Sequence, residues 1–251
     1  MNFKELHNQK TPLLLGNVWD VPSTKTAEKL GFQAIGTSSA AIASLLGYHD
    51  GEEMRFSELA YFVKRIAANT HLPVSVDLES GYSRDPKIIA QHIKELVDFG
   101  VVGINIEDSI STDTRILLDA DVFANTIIAV KSILAQENID IFLNVRTDGF
   151  LLGDPNPITT TKNRIQLYEA AGADGIFTPC IEQESDIKEI VTCTRLPVNV
   201  MCMPDLPDFE TLSNLGVRRI SMGNFLFDKM YGQLEITAKE VIEQQSFQSI
   251  F

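Results

Sequence analysis

The sequence predicts a single α/β domain over residues 1–251, a (β/α)8 barrel of TIM type, on three observations. Apolar, β-branched runs alternate eight times with longer amphipathic segments, the pattern of βα units around a parallel sheet. Glycine stops recur at Gly31, Gly100, Gly172 and Gly216, in phrases such as Phe99-Gly-Val-Val-Gly and Ala171-Gly-Ala-Asp-Gly that read as helix end, tight turn, next strand. Eight such units in 251 residues match the size of a barrel. No G-x-G-x-x-G or G-x-x-x-x-G-K-[ST] run occurs, so a nucleotide-binding open sheet loses its main support.

The strands read as Leu13 to Val18, Ala34 to Gly36, Val74 to Asp77, Val102 to Ile106, Ile141 to Arg146, Gly175 to Phe177, Val198 to Met201 and Arg219 to Ser221. A helix follows each: Ser23 to Leu30, Ser57 to Asn69, Pro86 to Phe99, Asp119 to Gln136, Thr160 to Ala171, Glu184 to Val191, Asp208 to Leu215 and Phe225 to Gln245. The third is punctuated most fully, with Pro86 at a first helical position after Asp85 and Gly100 at its end. Two connections are longer than the rest: Thr37 to Phe56 after the second strand, and Ser109 to Leu118 after the fourth. Long loops on the βα side of a barrel are where its chemistry is built.

Composition narrows the partner. The chain is 44% hydrophobic with a formal net charge of -13 and no Lys/Arg-rich run, which disfavours a nucleic-acid backbone or an anionic membrane and leaves a small molecule. Cys180, Cys193 and Cys202 form no C-x-x-C pair, so neither a disulfide framework nor a zinc ribbon is indicated. The polar start, Met1 to Lys10, has no apolar signal core and no stretch approaches membrane-spanning length, so the expected place is the cytoplasm.

The strand ends carry the chemistry. Side chains alternate along a strand, so Asp77 with Glu79, Asn105 with Glu107, and Asn144 with Arg146 and Asp148 each point the same way. With Asp50 from the long loop, the acids of the second to fourth units converge on one rim. Buried carboxylates need a partner, and hard oxygen ligands suit Mg2+ or Mn2+. Solvated loop residues or helix N-caps are the competing reading of the same acids. Arg146 is placed to grip a carboxylate or phosphoryl group or to stabilise developing negative charge, or else to pair with Asp148 or Glu79. Thr37-Ser38-Ser39-Ala40 starts a loop whose backbone N–H groups and hydroxyls suit an anionic group, or simple turn chemistry. Trp19-Asp20 either lines the pocket or caps the next helix.

Taken in order, Gly36-Thr-Ser-Ser-Ala40, Leu46-Gly-Tyr-His-Asp50, Val76-Asp-Leu-Glu-Ser-Gly-Tyr82, Gly103-Ile-Asn-Ile-Glu-Asp108, Asn144-Val-Arg-Thr-Asp148 and Ala171-Gly-Ala-Asp-Gly175 resemble the isocitrate lyase and phosphoenolpyruvate mutase superfamily over nearly the whole chain. The resemblance implies a modified barrel, assembled as a dimer or tetramer with the last helix exchanged between subunits, that uses Mg2+ to bind a 2-oxoacid or its enolate. It implies Asp77 as the direct metal ligand, with Asp50, Glu79 and Glu107 acting through metal-bound waters. Ser38, Ser39 and Ala40 would hold the substrate carboxylate, with Trp19 and Asn105 lining the site and Arg146, Glu107 and Asp50 as the catalytic set.

Departures from the family pattern bear on the reaction. Lyase branches carry a Lys-Lys/Arg-Cys-Gly-His run after the fourth strand, where this chain has Ser109-Ile-Ser-Thr-Asp-Thr-Arg115. Mutases carry a lysine in that loop, a tryptophan at the place of Gly36 and a histidine near Thr178-Pro179, and none is present. The expectation is therefore a Mg2+-dependent lyase or decarboxylase of a small 2-oxo or 2-hydroxy acid. The alternatives are phosphorus–carbon chemistry on phosphonopyruvate and a non-catalytic metabolite-binding barrel.

Overall fold

The computed structural model describes residues 2–251. From the N-terminus the elements are α1 (Phe3–Leu6), β1 (Leu13–Leu14), β2 (Gly16–Val18), α2 (Val21–Lys29), β3 (Ile35–Thr37), α3 (Ser39–Leu46), α4 (Phe56–Ala67) and β4 (Val74–Asp77). The middle of the chain holds α5 (Pro86–Asp98), β5 (Val101–Glu107), β6 (Ser109–Ser111), β7 (Arg115–Leu117), α6 (Ala120–Gln136), β8 (Phe142–Arg146) and α7 (Pro157–Ala170). The last third is β9 (Gly175–Thr178), α8 (Glu184–Thr192), β10 (Val198–Met201), α9 (Phe209–Leu215), β11 (Arg219–Ser221) and α10 (Phe225–Gln244).

All eight expected strands are present, and every pairing in the main sheet is parallel. The first is broken at Leu15 into two halves with different neighbours. Leu13 and Leu14 pair with Arg219 and Ile220, whereas Gly16 to Val18 pair with Ile35 to Thr37, so one broken segment joins the two ends of the sheet and closes the ring. Along each strand one set of side chains faces the helices and the other the barrel axis. In β5, Ile104 and Ile106 join the large core beneath the helices, leaving Asn105 and Glu107 inside.

Helix formation follows the expected signals. In α4 the buried residues Leu59, Ala60, Val63 and Ile66, and in α5 Ile89, Ala90, Ile93 and Leu96, recur at three- and four-residue steps, the spacing of one helix face. Asp20 caps α2 by accepting the Ser23 N–H at 2.7 Å, and Asp85 caps α5 through Lys87 N–H at 2.9 Å with Pro86 in the first turn.

Two expected loops prove to be structured. The run after β3 is a helix from Ser39, because its small residues let Ala41, Ile42 and Ala43 pack flat against the barrel. Ser109 to Leu118 forms the β6–β7 hairpin. The polar N-terminus, for which no helix was expected, makes α1, which closes the bottom of the barrel. Its Phe3 and Leu6 pack with Leu13, Leu15, Ala34 and Phe142, and His7 stacks on Phe142 at 4.2 Å between ring centres. Among the described residues no helix is long and apolar enough to cross a membrane.

Candidate active site

A cavity of about 390 Å3 opens at the C-terminal ends of the strands, where barrels bind their ligands. Its wall includes Thr37 to Ala40, Asp50, Asp77, Asn105, Arg115 and Arg146, with Leu151, Phe177 and Pro179 on the apolar side.

One wall is the N-terminus of α3. Ser38 is its cap and accepts the Ala41 N–H at 3.3 Å, while Ser39 Oγ donates to Asp77 Oδ2 at 2.7 Å. Among the described residues no protein acceptor takes the N–H of Ser39 or Ala40. Open N–H groups at the positive end of a helix dipole favour an anion. The three residues expected to bind a carboxylate are thus together, on a helix end rather than a loop. Asp77 is held in turn by its own N–H, which donates to Thr37 Oγ1 at 2.9 Å.

The opposite wall is Arg146, one of whose nitrogens lies 2.8 Å from Glu107 Oε2 while Nε donates to Asp148 Oδ1 at 2.6 Å. Burial works against its charge, but Glu107, Asp148 and Asp77 outweigh burial and raise its pKa, so Arg146 stays cationic. Arg115, from the hairpin, is a second cation on this rim. Its Nη2 donates to Asp50 Oδ2 at 2.9 Å and its Nη1 to Glu107 Oε1. The approach is tight at Gly51, where φ is +112° and an added Cβ would stand 2.2 Å from Ser111 Oγ, so the residue after Asp50 admits no side chain there.

The acids therefore differ from the cage that alternation implies. Among the described residues no three His, Cys, Asp or Glu side chains stand together as a ready cation site. Asp50 and Glu107 are instead partnered by guanidinium groups. Glu79 does not line the cavity; its φ of +49° turns it behind Asp77, where its Oε1 accepts from Tyr82 OH at 2.8 Å. Burial, then the charges of Asp50 and Asp77, push its pKa up to about 8. Asp77 Oδ1 and Glu79 Oε2 are both buried without a hydrogen-bond partner. Such orphaned carboxylate oxygens, one on a cavity-lining residue, fit an ion like Mg2+ that takes one or two carboxylates and keeps its waters.

Trp19 lies elsewhere. It is buried against Phe227, 5.3 Å between ring centres, and lines a separate apolar cavity with Met222, Leu226 and Met230. Asn105 lines the main cavity as expected, its Oδ1 accepting from Asn144 Nδ2 at 2.9 Å. Asn17, Ser75, Arg219 and Ser221 also face the cavity and belong to none of the motifs. The signal was available, since each sits at an inward, alternate position of its strand.

A barrel whose strand ends gather an open helix N-terminus, a carboxylate with one unpartnered oxygen and two guanidinium groups around one small cavity has the features of a small-molecule enzyme site. The family is settled by sequence: the phosphoenolpyruvate phosphomutase model matches residues 3–242, and the chain belongs to that family, within the phosphoenolpyruvate mutase and isocitrate lyase superfamily. An uncharacterized protein of Mycobacterium tuberculosis (strain ATCC 25618 / H37Rv) is 37% identical over 89% of this chain and 82% of its own length. Oxaloacetate decarboxylase 1 of Pseudomonas fluorescens (strain Pf0-1) is 30% identical over 86% of this chain and 75% of its own. Among solved structures, a Burkholderia cenocepacia J2315 protein provisionally described as a phosphonomutase superposes with a TM-score of 0.88 at 36% identity, covering 94% of this chain and 97% of that one.

Proposed function

We propose that the protein is a divalent-metal-assisted lyase or decarboxylase that breaks a carbon–carbon bond in a small 2-oxo or 2-hydroxy di- or tricarboxylate, through an enolpyruvate-like intermediate. The observation that carries this reading is the facing arrangement of the α3 N-terminus, Asp77 and Arg146 across one cavity. The N–H groups of Ser39 and Ala40 hold a substrate carboxylate, and Ser39 Oγ keeps Asp77 turned toward it. Arg146, braced by Asp148 and Glu107, stabilises the negative charge that grows as the bond breaks. Phe177, Leu151 and Pro179 limit water on that side. Bound Mg2+ or Mn2+, for which Asp77 offers its free oxygen, supplies Lewis acidity at the 2-oxo group. The similarity to an oxaloacetate decarboxylase supports this substrate class. The exposed apolar residues of α10, among them Leu226, Met230, Leu234 and Ile236, fit an assembly in which that helix packs on a second copy.

The test is turnover of oxaloacetate, 2-methylisocitrate and phosphonopyruvate by the purified protein with Mg2+, read as pyruvate, glyoxylate or phosphate. Asp77→Ala abolishes the reaction. Undiminished turnover in that variant overturns the reading, phosphate as the only product points to phosphorus–carbon chemistry, and oxalate binding without any turnover marks a non-catalytic barrel.

A further inference from the structure

At the floor of the cavity lies a charge that the rim chemistry does not use. Arg219, the first residue of β11, points into the barrel, is 1% exposed and lines the cavity. Its Nη2 donates to Asn105 Oδ1 at 3.3 Å, while Nε and Nη1 have no hydrogen-bond partner. Among the described residues no carboxylate forms an ion pair with it; burial pushes its pKa down to about 10, and the charge of Asp77 opposes that only in part. Ser75 Oγ, which lines the same cavity, is buried and unpartnered too. An unpaired buried guanidinium is costly, so a site that keeps one is a site that awaits an anion.

The approach to that anion is from above. Below, α1 seals the barrel with Phe3, Leu6 and His7, none of which carries a negative charge, and Arg219 together with burial keeps His7 from adding a second positive one. Asn105, which accepts from Arg219, stands opposite Asp77 in the β4–β5 register, and Asp77 is the residue bonded to Ser39. The α3 N-terminus and Arg219 are therefore linked to the same carboxylate, the first through the Ser39 hydrogen bond and the second through charge.

We propose that Arg219, with Ser75 and Asn105, forms a second anion subsite on the cavity floor that takes the far carboxylate of a dicarboxylate substrate while the first carboxylate rests on α3. This rests on the function proposed above and names the residues behind its substrate class: through Arg219 the enzyme selects acids with two carboxylates separated by carbon over monocarboxylates of the same headgroup. Charge agrees, since a divalent ion at Asp77 together with Arg146 and Arg219 calls for a ligand with more than one negative charge.

Calorimetric titration with three probes, in Mg2+, tests it. Oxalate, with no carbon between its two carboxylates, serves as the probe of the rim. L-malate and (S)-lactate share a 2-hydroxy acid headgroup and differ in the far carboxylate. The wild-type protein binds L-malate about tenfold or more tighter than (S)-lactate, the worth of a charge-assisted hydrogen-bonded contact. In Arg219→Gln that ratio falls to about twofold or less. An unchanged ratio in the variant, or no preference in the wild type, overturns the floor subsite. Failure of oxalate to bind the wild-type protein counts instead against the reading of the rim. Should Arg219→Gln not fold, a crystal structure of the wild-type protein with Mg2+ and L-malate decides: a carboxylate within hydrogen-bond distance of Arg219 Nε or Nη1 supports the subsite, and a malate lying wholly on the rim overturns it.

Discussion

Asp108 ties the active rim to the outer helices, and its removal is the sharpest test of how the site is held. The residue is fully buried; its Oδ2 accepts from Arg164 Nη1 at 2.9 Å and Tyr168 OH at 2.8 Å, and its Oδ1 from the Asp148 N–H at 3.0 Å. Asp148 in turn braces Arg146. Tyr168→Phe keeps the ring but removes two hydrogen bonds, one donated to Asp108 and one accepted from Arg164 at 2.9 Å; because those two charged groups keep each other as partners, the loss is about 2 kcal/mol. Asp108→Asn breaks the ion pair and leaves Arg164 charged in the interior, which costs about 3–5 kcal/mol. At about 2–4 °C per kcal/mol for a chain of this size, Tyr168→Phe melts about 4–8 °C early. Because both changes touch one network, the double variant is less destabilised than the two losses added, by about 0.5–3 kcal/mol. Urea unfolding of the three variants measures this, and oxalate titration with Mg2+ shows weaker binding in Asp108→Asn as Asp148 loses its anchor. If Tyr168→Phe unfolds at the wild-type midpoint, or Asp108→Asn costs no more than Tyr168→Phe, the network does not hold the rim.

Two further outcomes follow from packing and charge. In Gly36→Ala the new Cβ would stand 2.4 Å from Leu15 Cδ2, a side chain 1% exposed, so overpacking lowers stability by about 1–3 kcal/mol in urea unfolding; a wild-type midpoint would show that Leu15 swings aside freely. His7, with its pKa lowered to about 3 by burial and Arg219, stays neutral in the fold while the unfolded chain takes a proton below the ordinary 6.5. Its contribution is thus complete above pH 6.5 and is lost as pH falls from 6.5 toward 3, at most about 5 kcal/mol in all. His7→Phe, which keeps the stack on Phe142, flattens the acid limb of stability against pH between 6.5 and 4, and parallel wild-type and variant limbs would refute the assignment.

How far the sequence foretold this site depends on which residues carried contrast. Asp77, Glu107, Asn144 and Arg146 stand out because a polar residue at every second place in an apolar run has one physical meaning, an inward face at a strand's end. The same alternation marks Arg219 and Ser221 in Arg219-Ile-Ser221, but Arg218 beside it carries the same charge and removes the contrast, although Arg218 turns out to the Gln9 carbonyl and Arg219 turns in. Helix α3 was hidden by its own composition, since Ser and Ala give little periodic contrast. The partners of the acids were the larger surprise, because a convergent carboxylate set has the same pattern whether a metal ion or an arginine from a distant hairpin neutralises it. Arg115 lies 65 positions from Asp50, and no local spacing announces that meeting.

The seam at Leu15 also sets the order in which the molecule can be made. Residues 13 and 14 wait for residues 219 and 220, so the ring closes only after β11 has left the ribosome. Until then the growing sheet has open edges, with the Leu13–Leu14 segment unpaired. Closure joins the most distant contacts in sequence, the kind that forms slowly because so much chain must be restrained first. A chain cut before β11 therefore loses more than its last helix: it keeps an open sheet, prone to pair with its neighbours, in place of a barrel.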